Sequence, residues 1–270
     1  LGELPEKPLM EHVYDLLETL RRILIAVIAF MIVVLFAPTP WLLPGYRPVA
    51  FYLMNLTNSY VLSFEKNLFA RPLATLFGVN SERVILIAHG WFDSLNAAVL
   101  LTSLLAVAVL SPYIAYEVYR FMEPGLYPHE KRVVKRYVAL GLGLFLAGLA
   151  YGYFVVMPIA FVVGVWLATL GGAATLFSIR DFYGNILLGC LATGVFFTFP
   201  IAVLTLSRIG VVSYETLSRH WRYVVFATFA VLVAATPDPT PFSAMALGAP
   251  FAALYFLSMW LVKKSERKRG

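Results

Sequence analysis

Hydrophobic positions fall in long uninterrupted runs, and polar and charged residues gather in the segments between them. A straight helix rises about 1.5 Å per residue, so about 20 apolar residues cross a hydrocarbon core of about 30 Å. Five runs reach that length: Ile23 to about Leu43, Ser94 to Tyr116, Tyr137 onward, Phe182 to Ser207, and Phe242 to Val262. The third stays uncharged as far as Ile179, 43 residues or about 64 Å of straight helix, so it must bend or leave the membrane early. Pro158 and Gly171-Gly172 are the expected break points. A sixth run, Tyr223 to Thr236, has 14 residues, or about 21 Å of helix. Three prolines in the following 236–241 segment cannot continue a helix, which predicts a tight hairpin between a short fifth helix and the sixth. One long kinked span or a re-entrant loop are the alternatives.

Composition agrees with this reading. With 60% hydrophobic residues, 13% charged and a mean hydropathy of +0.79, the chain lies far from a soluble domain, in which about a quarter of residues are charged. One cysteine, Cys190, excludes a disulfide framework or a multi-cysteine metal site, and four histidines leave little for metal ligation; no metal or cofactor is expected. The +6 charge and pI near 9.4 sit in short basic blocks beside the apolar runs, a topological pattern rather than a nucleic-acid surface. If six helices are threaded alternately, 16 of the 21 Lys and Arg residues lie on the side of the two termini. They occupy the N-terminal segment, the 117–136 and 208–222 loops and the 263–270 tail. Both termini are therefore expected in the cytoplasm. On the other side, the 44–93 loop is apolar enough (Phe51, Tyr52, Tyr60, Phe64, Phe69) to fold over the outer membrane surface as a cap. No signal-peptide pattern precedes the first span, which is expected to be retained.

Enzymatic chemistry finds little support. The sequence has no G-x-x-x-x-G-K-[ST] phosphate loop, no H-E-x-x-H and no G-x-S-x-G elbow. The spans contain Asn96, Thr102, Ser103, Asn185, Thr193 and Thr198 but no His or carboxylate, which argues against an intramembrane protease. A small-solute secondary transporter, the alternative function, would place ionisable groups or inverted repeats near the midplane, and neither is evident. Thr198, beside Pro200, is read as a hydroxyl bonded to its own i−4 carbonyl.

Charge gathers instead in two segments on the expected cytoplasmic side. Over residues 9–22, Leu9, Val13, Leu16, Leu17 and Leu20 follow helical spacing while Glu11, Asp15, Glu18 and Arg22 form a polar stripe. This predicts an interfacial helix leading into the first span, with Glu18 and Arg22 either a local i,i+4 pair or part of a binding site. The second segment runs S-P-Y-I-A-Y-E-V-Y-R-F-M-E-P-G-L-Y-P-H-E-K-R over residues 111–132. Its aromatics and basic residues suit an interface anchor, yet Glu117, Glu123 and Glu130 are surplus to that purpose. Carboxylates beside aromatics at a membrane surface would accept a basic segment, guanidinium groups above all, which bind them bidentately.

The 111–132 block closely resembles the signature of the TatC family, the receptor subunit of the twin-arginine protein translocase. Four further stretches are similar to the family in order: 16–30, with Glu18 and Arg22; 151–161; 194–202; and 236–250. The resemblance implies an all-α polytopic membrane protein of six transmembrane helices, N-in and C-in, cup-shaped, with short fifth and sixth helices. It implies a receptor in the prokaryotic cytoplasmic membrane for signal peptides with consecutive arginines. Such a receptor self-associates, assembles with single-span partners of the TatA and TatB type, and works by the proton-motive force. By the family pattern the arginines are read by Glu18 and Glu130, with Arg22, Phe121, Glu123, Pro124, Leu126, Tyr127 and His129 in the same recognition surface. Thr198, Pro200 and Thr236 match positions near the partner-helix contact. Two departures stand out: Asp15 replaces the family's N-terminal His, and Thr198 occupies a position that is Glu in many members.

Overall fold

The computed structural model describes residues 9–39, 47–81, 84–208, 212–235 and 241–266. Helix α1 (Leu9–Phe36) is continuous, so the 9–22 segment and the first span form one rod. Helices α2 (Val49–Val61) and α3 (Arg71–Phe77) follow, then strand β1 (Ile85–Ile87) and the long α4 (Asp93–Met122). A 3-10 turn at Glu123–Gly125 leads into α5 (Pro128–Tyr151), a π-helical turn at Gly152–Val156 and α6 (Met157–Leu170). Strand β2 (Leu176–Ser178) precedes α7 (Ile179–Phe197) and α8 (Phe199–Arg208); α9 (Tyr214–Ala235) and α10 (Pro241–Glu266) complete the order.

Among the described residues four helical stretches are long and apolar enough to cross a membrane: Val13–Phe36, Asp93–Gly125, Lys131–Leu170 and Ile179–Ser207. Helices α9 and α10 take the places of the expected fifth and sixth. At 22 and 26 residues they are not short as helices. Helix α9 starts at Tyr214 with a polar turn before its apolar run, and α10 continues through Lys263 and Lys264. Residues 236–240, with Thr236 and the expected hairpin connection, lie outside the described residues.

Prolines within apolar helices shape the bundle. A helical proline has no N–H, so the carbonyl four residues earlier loses its donor, and in lipid no water replaces it. Three such carbonyls are served by hydroxyls. Ser111 donates to Ala108 O (2.8 Å), behind Pro112 in α4. Tyr60 of α2 donates to Phe154 O (3.1 Å), behind Pro158. Tyr151 of α5 donates to Ala246 O (2.7 Å), behind Pro250 in α10. The predicted break at Pro158 is thus real but gentle: the chain takes a π turn and proceeds into α6. The helix ends at Gly171-Gly172, where Gly172 adopts φ +67°, a conformation that favours glycine.

Packing centres on α4, α5 and α7. Small residues let α5 and α7 touch backbone to backbone: a Cβ on Gly148 would lie 2.6 Å from Thr193 O and 2.8 Å from Gly194 Cα. Leu101, Leu104, Leu149, Phe182, Ile186 and Cys190 fill the surrounding core. Helix α2 closes one end of it, because the fully buried Tyr183 of α7 donates to Met54 O (2.9 Å) and lies 2.8 Å from Asn58 Oδ1. The 44–93 segment also supplies β1, which pairs in parallel with β2 through Ile85↔Leu176 and Ile87↔Ser178. This short ladder joins segments about 90 residues apart and has no counterpart in a purely helical expectation. A second core joins α3 to α6 through Phe64, Ala74, Val162 and Val165. A third joins α8, α9 and α10 through Leu204, Leu217, Tyr255 and Val262.

Candidate recognition site

Helix α1 packs on α4 and α2, and the face it turns to α4 is not its leucine stripe. Leu16, Leu17 and Leu20 are about half exposed, whereas Thr19 is buried with its hydroxyl donating to Asp15 O (2.9 Å). In a membrane the leucines face acyl chains, and the polar stripe supplies the contact with the next helix. Arg22 lies on that stripe. Its Nη1 is 3.3 Å from Glu18 Oε1, and its Nη2 donates to Thr19 Oγ1 at 3.3 Å. Its Nε lies 3.1 Å from Oε2 of Glu117, which is 3% exposed in the last third of α4. The i,i+4 pair read from the sequence therefore exists, and it is extended by a carboxylate 95 positions away.

The 121–130 segment continues from α4. Met122 caps the 3-10 turn at Glu123–Gly125, with Pro124 where its fixed φ fits and its missing N–H costs nothing. Glu123 and Lys131 close the turn at 3.3 Å; both are about 40% exposed, so the pair contributes under about 1 kcal/mol. Phe121 and Leu126 are half-buried, while Tyr127 and Pro124 are exposed. His129 and Glu130 occupy the first turn of α5, where a carboxylate is favoured by the helix dipole; their side chains lie outside the described set. Glu18, Arg22, Glu117 and the 121–131 turn are thus gathered around the junction of α1 with the C-terminal part of α4.

Thr198 is placed elsewhere. It lines an apolar groove of about 280 Å³ between α4, α5 and the α7–α8 junction, with Val107, Ser111, Ile114, Ala115 and Phe145. Its hydroxyl donates to Val195 O at 2.7 Å, an i−3 rather than the expected i−4 partner. The cause is local: the Thr198 N–H also turns to Val195 O (3.0 Å), because α7 ends in a tight turn ahead of Pro200. Its one proton is therefore committed, and the groove wall is chemically apolar. Pro200 follows at the start of α8 and is fully buried within the chain. Among the described residues no group of His, Cys, Asp and Glu could hold a metal ion.

The sequence groups Glu117 with Glu123 and Glu130 as carboxylates suited to accept a basic segment, but does not show its partner within the chain, Arg22. The signal available was its register: four residues from Phe121 and on the face opposite exposed Tyr116 and Val118. Which helix meets that face cannot be read from a span boundary.

A bundle of long apolar helices, with carboxylates and a guanidinium gathered where α1 meets α4 and an apolar groove along its side, is that of a polytopic α-helical membrane protein. The Sec-independent protein translocase protein (TatC) family model matches residues 11–250, and the chain belongs to that family. It is 32% identical over 198 residues to the Sec-independent protein translocase protein TatC of Azotobacter chroococcum mcd 1, covering 73% of this chain and 76% of that one. To the TatC of Aquifex aeolicus (strain VF5) it is 30% identical over 268 residues, 97% of each chain. Its fold is similar to a crystal structure of the twin arginine translocase receptor TatC, with a TM-score of 0.68 at 23% identity, covering 94% of this chain and 99% of that one.

Proposed function

We propose that the protein is the signal-peptide receptor of a twin-arginine export system in a prokaryotic cytoplasmic membrane. It spans the membrane six times with both termini in the cytoplasm, associates with TatA- and TatB-type single-span subunits and with further copies of itself, and works by the proton-motive force. The observation that carries this reading is the Arg22–Glu117 contact at 3.1 Å. It joins the middle of α1 to the last third of α4, and on this reading exposed Glu18 and the carboxylates Glu123 and Glu130 that follow α4 serve one recognition surface. Carboxylates at a membrane surface, flanked by aromatic and basic residues, suit a guanidinium that must be recognised and later released. The peptide's apolar stretch fits the groove below, where Ile114, Ala115 and Phe145 offer contact without a competing charge.

The test is a titration of the protein in nanodiscs with a labelled S-R-R-x-F-L-K signal peptide and its K-K counterpart, with the Glu130→Ala variant in parallel. Losing one carboxylate costs about 1–3 kcal/mol, or about 5- to 150-fold in affinity, where the pair is partly desolvated. Lysine peptides bind more weakly because an ammonium cannot reproduce the two-pronged contact. Indistinguishable curves for the arginine and lysine peptides would refute the assignment.

A further inference from the structure

Accessibility rises stepwise along three linked charges: 4% for the Glu117 side chain, 35% for Arg22 and 66% for Glu18. At the inner step, Nε and Oε2 face each other at 3.1 Å without hydrogen-bond alignment, and neither atom has another hydrogen-bond partner. The contact is Coulombic, and within the described surroundings the Glu117 carboxylate depends on this guanidinium for neutralisation. A buried carboxylate stripped of its counter-charge is strongly unfavourable, so Arg22 is held toward α4. At the outer step, Nη1 reaches Glu18 at 3.3 Å across a solvent-exposed edge, a weak and exchangeable contact. Two carboxylates share one guanidinium, which leaves the triad with a formal charge of −1.

From this arrangement we infer that Glu117 is a positioning residue of the arginine-recognition site. By sharing Arg22 from the buried side, it keeps the one guanidinium from neutralising Glu18 in full, although Arg22 Nη1 still donates to Glu18 at 3.3 Å, and leaves a charge deficit that one incoming guanidinium fills. The inference rests on the function proposed above. Without the Glu117 charge, Arg22 turns fully to Glu18, and the outer carboxylate is satisfied before any peptide arrives. A residue with a purely structural role would weaken all ligands alike, whereas this one acts through the charge balance of the site.

The experiment compares wild type, Glu117→Gln, and Glu117→Gln combined with Arg22→Gln in nanodiscs, each titrated with the arginine and lysine peptides, with thermal unfolding followed in parallel. Glu117→Gln keeps the side-chain shape, and the expected result is a loss of arginine-peptide affinity of about five- to tenfold with the arginine-over-lysine preference reduced. The combined variant, which frees Glu18 of its internal partner, recovers much of that loss. This sign reversal cannot come from a packing defect. Wild-type affinity and selectivity in Glu117→Gln, or a loss equal for both peptides that the combined variant deepens, would overturn the inference while leaving the receptor assignment standing. A wild type that does not prefer the arginine peptide overturns both.

Discussion

Replacing Tyr151 by Phe removes one hydroxyl and tests how α10 accommodates Pro250. The carbonyl of Ala246 lacks its helical donor because Pro250 has no N–H, and Tyr151 supplies a substitute at 2.7 Å from the end of α5. Leaving a buried acceptor unpaired costs about 1–3 kcal/mol. Tyr151 and Ala246 are both half-buried, so the lower part of that range, about 1–2 kcal/mol, is expected. The ring should keep its packing against Phe197, whose centroid is 5.5 Å away, so little of the loss would come from a cavity. The decisive comparison is a double-mutant cycle. Pro250→Ala returns an N–H to the helix, and in that background Tyr151→Phe should cost under about 0.5 kcal/mol, a coupling of about 1 kcal/mol. Equilibrium unfolding in mixed micelles, followed by tryptophan fluorescence and circular dichroism, measures all four variants. An equal cost of Tyr151→Phe in both backgrounds would refute the idea that hydroxyls substitute for the donors missing at helical prolines.

Other perturbations follow from the same geometry. Gly148→Ala should destabilise relative to Gly143→Ala by about 1–3 kcal/mol in the same unfolding assay, because a Cβ at 148 meets the α7 backbone at 2.6–2.8 Å and one at 143 meets nothing within 4 Å; similar midpoints would show that α5 and α7 are not in such close contact. Arg22→Gln strands the Glu117 carboxylate and should cost about 2–3 kcal/mol, less than the about 3–5 of a fully buried pair because Arg22 is 35% exposed, with Glu117→Gln restoring most of it. Filling the groove with Ala115→Phe should weaken a full-length arginine signal peptide, while a truncated peptide lacking the apolar stretch binds as before. Parallel loss for both peptides would place the apolar stretch elsewhere.

The sequence by itself determined that this is a polytopic membrane protein, because runs of apolar residues at about 1.5 Å rise can be satisfied only by helices that bond their own backbone. It also placed the break at Pro158, the end at Gly171-Gly172 and the family, through a 111–132 block whose residue types are constrained one by one. These are local properties, written in consecutive residues. What the sequence could not carry is pairing between distant segments. Tyr60 and Phe154, Tyr151 and Ala246, and β1 and β2 are joined across about 90 positions or more, and each partner looks unremarkable in its own run. Arg22 and Glu117 belong to the same class. Near the N-terminus the i,i+4 spacing correctly indicated Glu18 as a neighbour of Arg22, but only the packing of α1 on α4 decided that a buried carboxylate holds the guanidinium from the other side. The physical reason is that apolar matching between helices in lipid is nearly degenerate. The choice of neighbour is made by a few polar contacts and close glycine approaches, whose energies exist only once the helices have met.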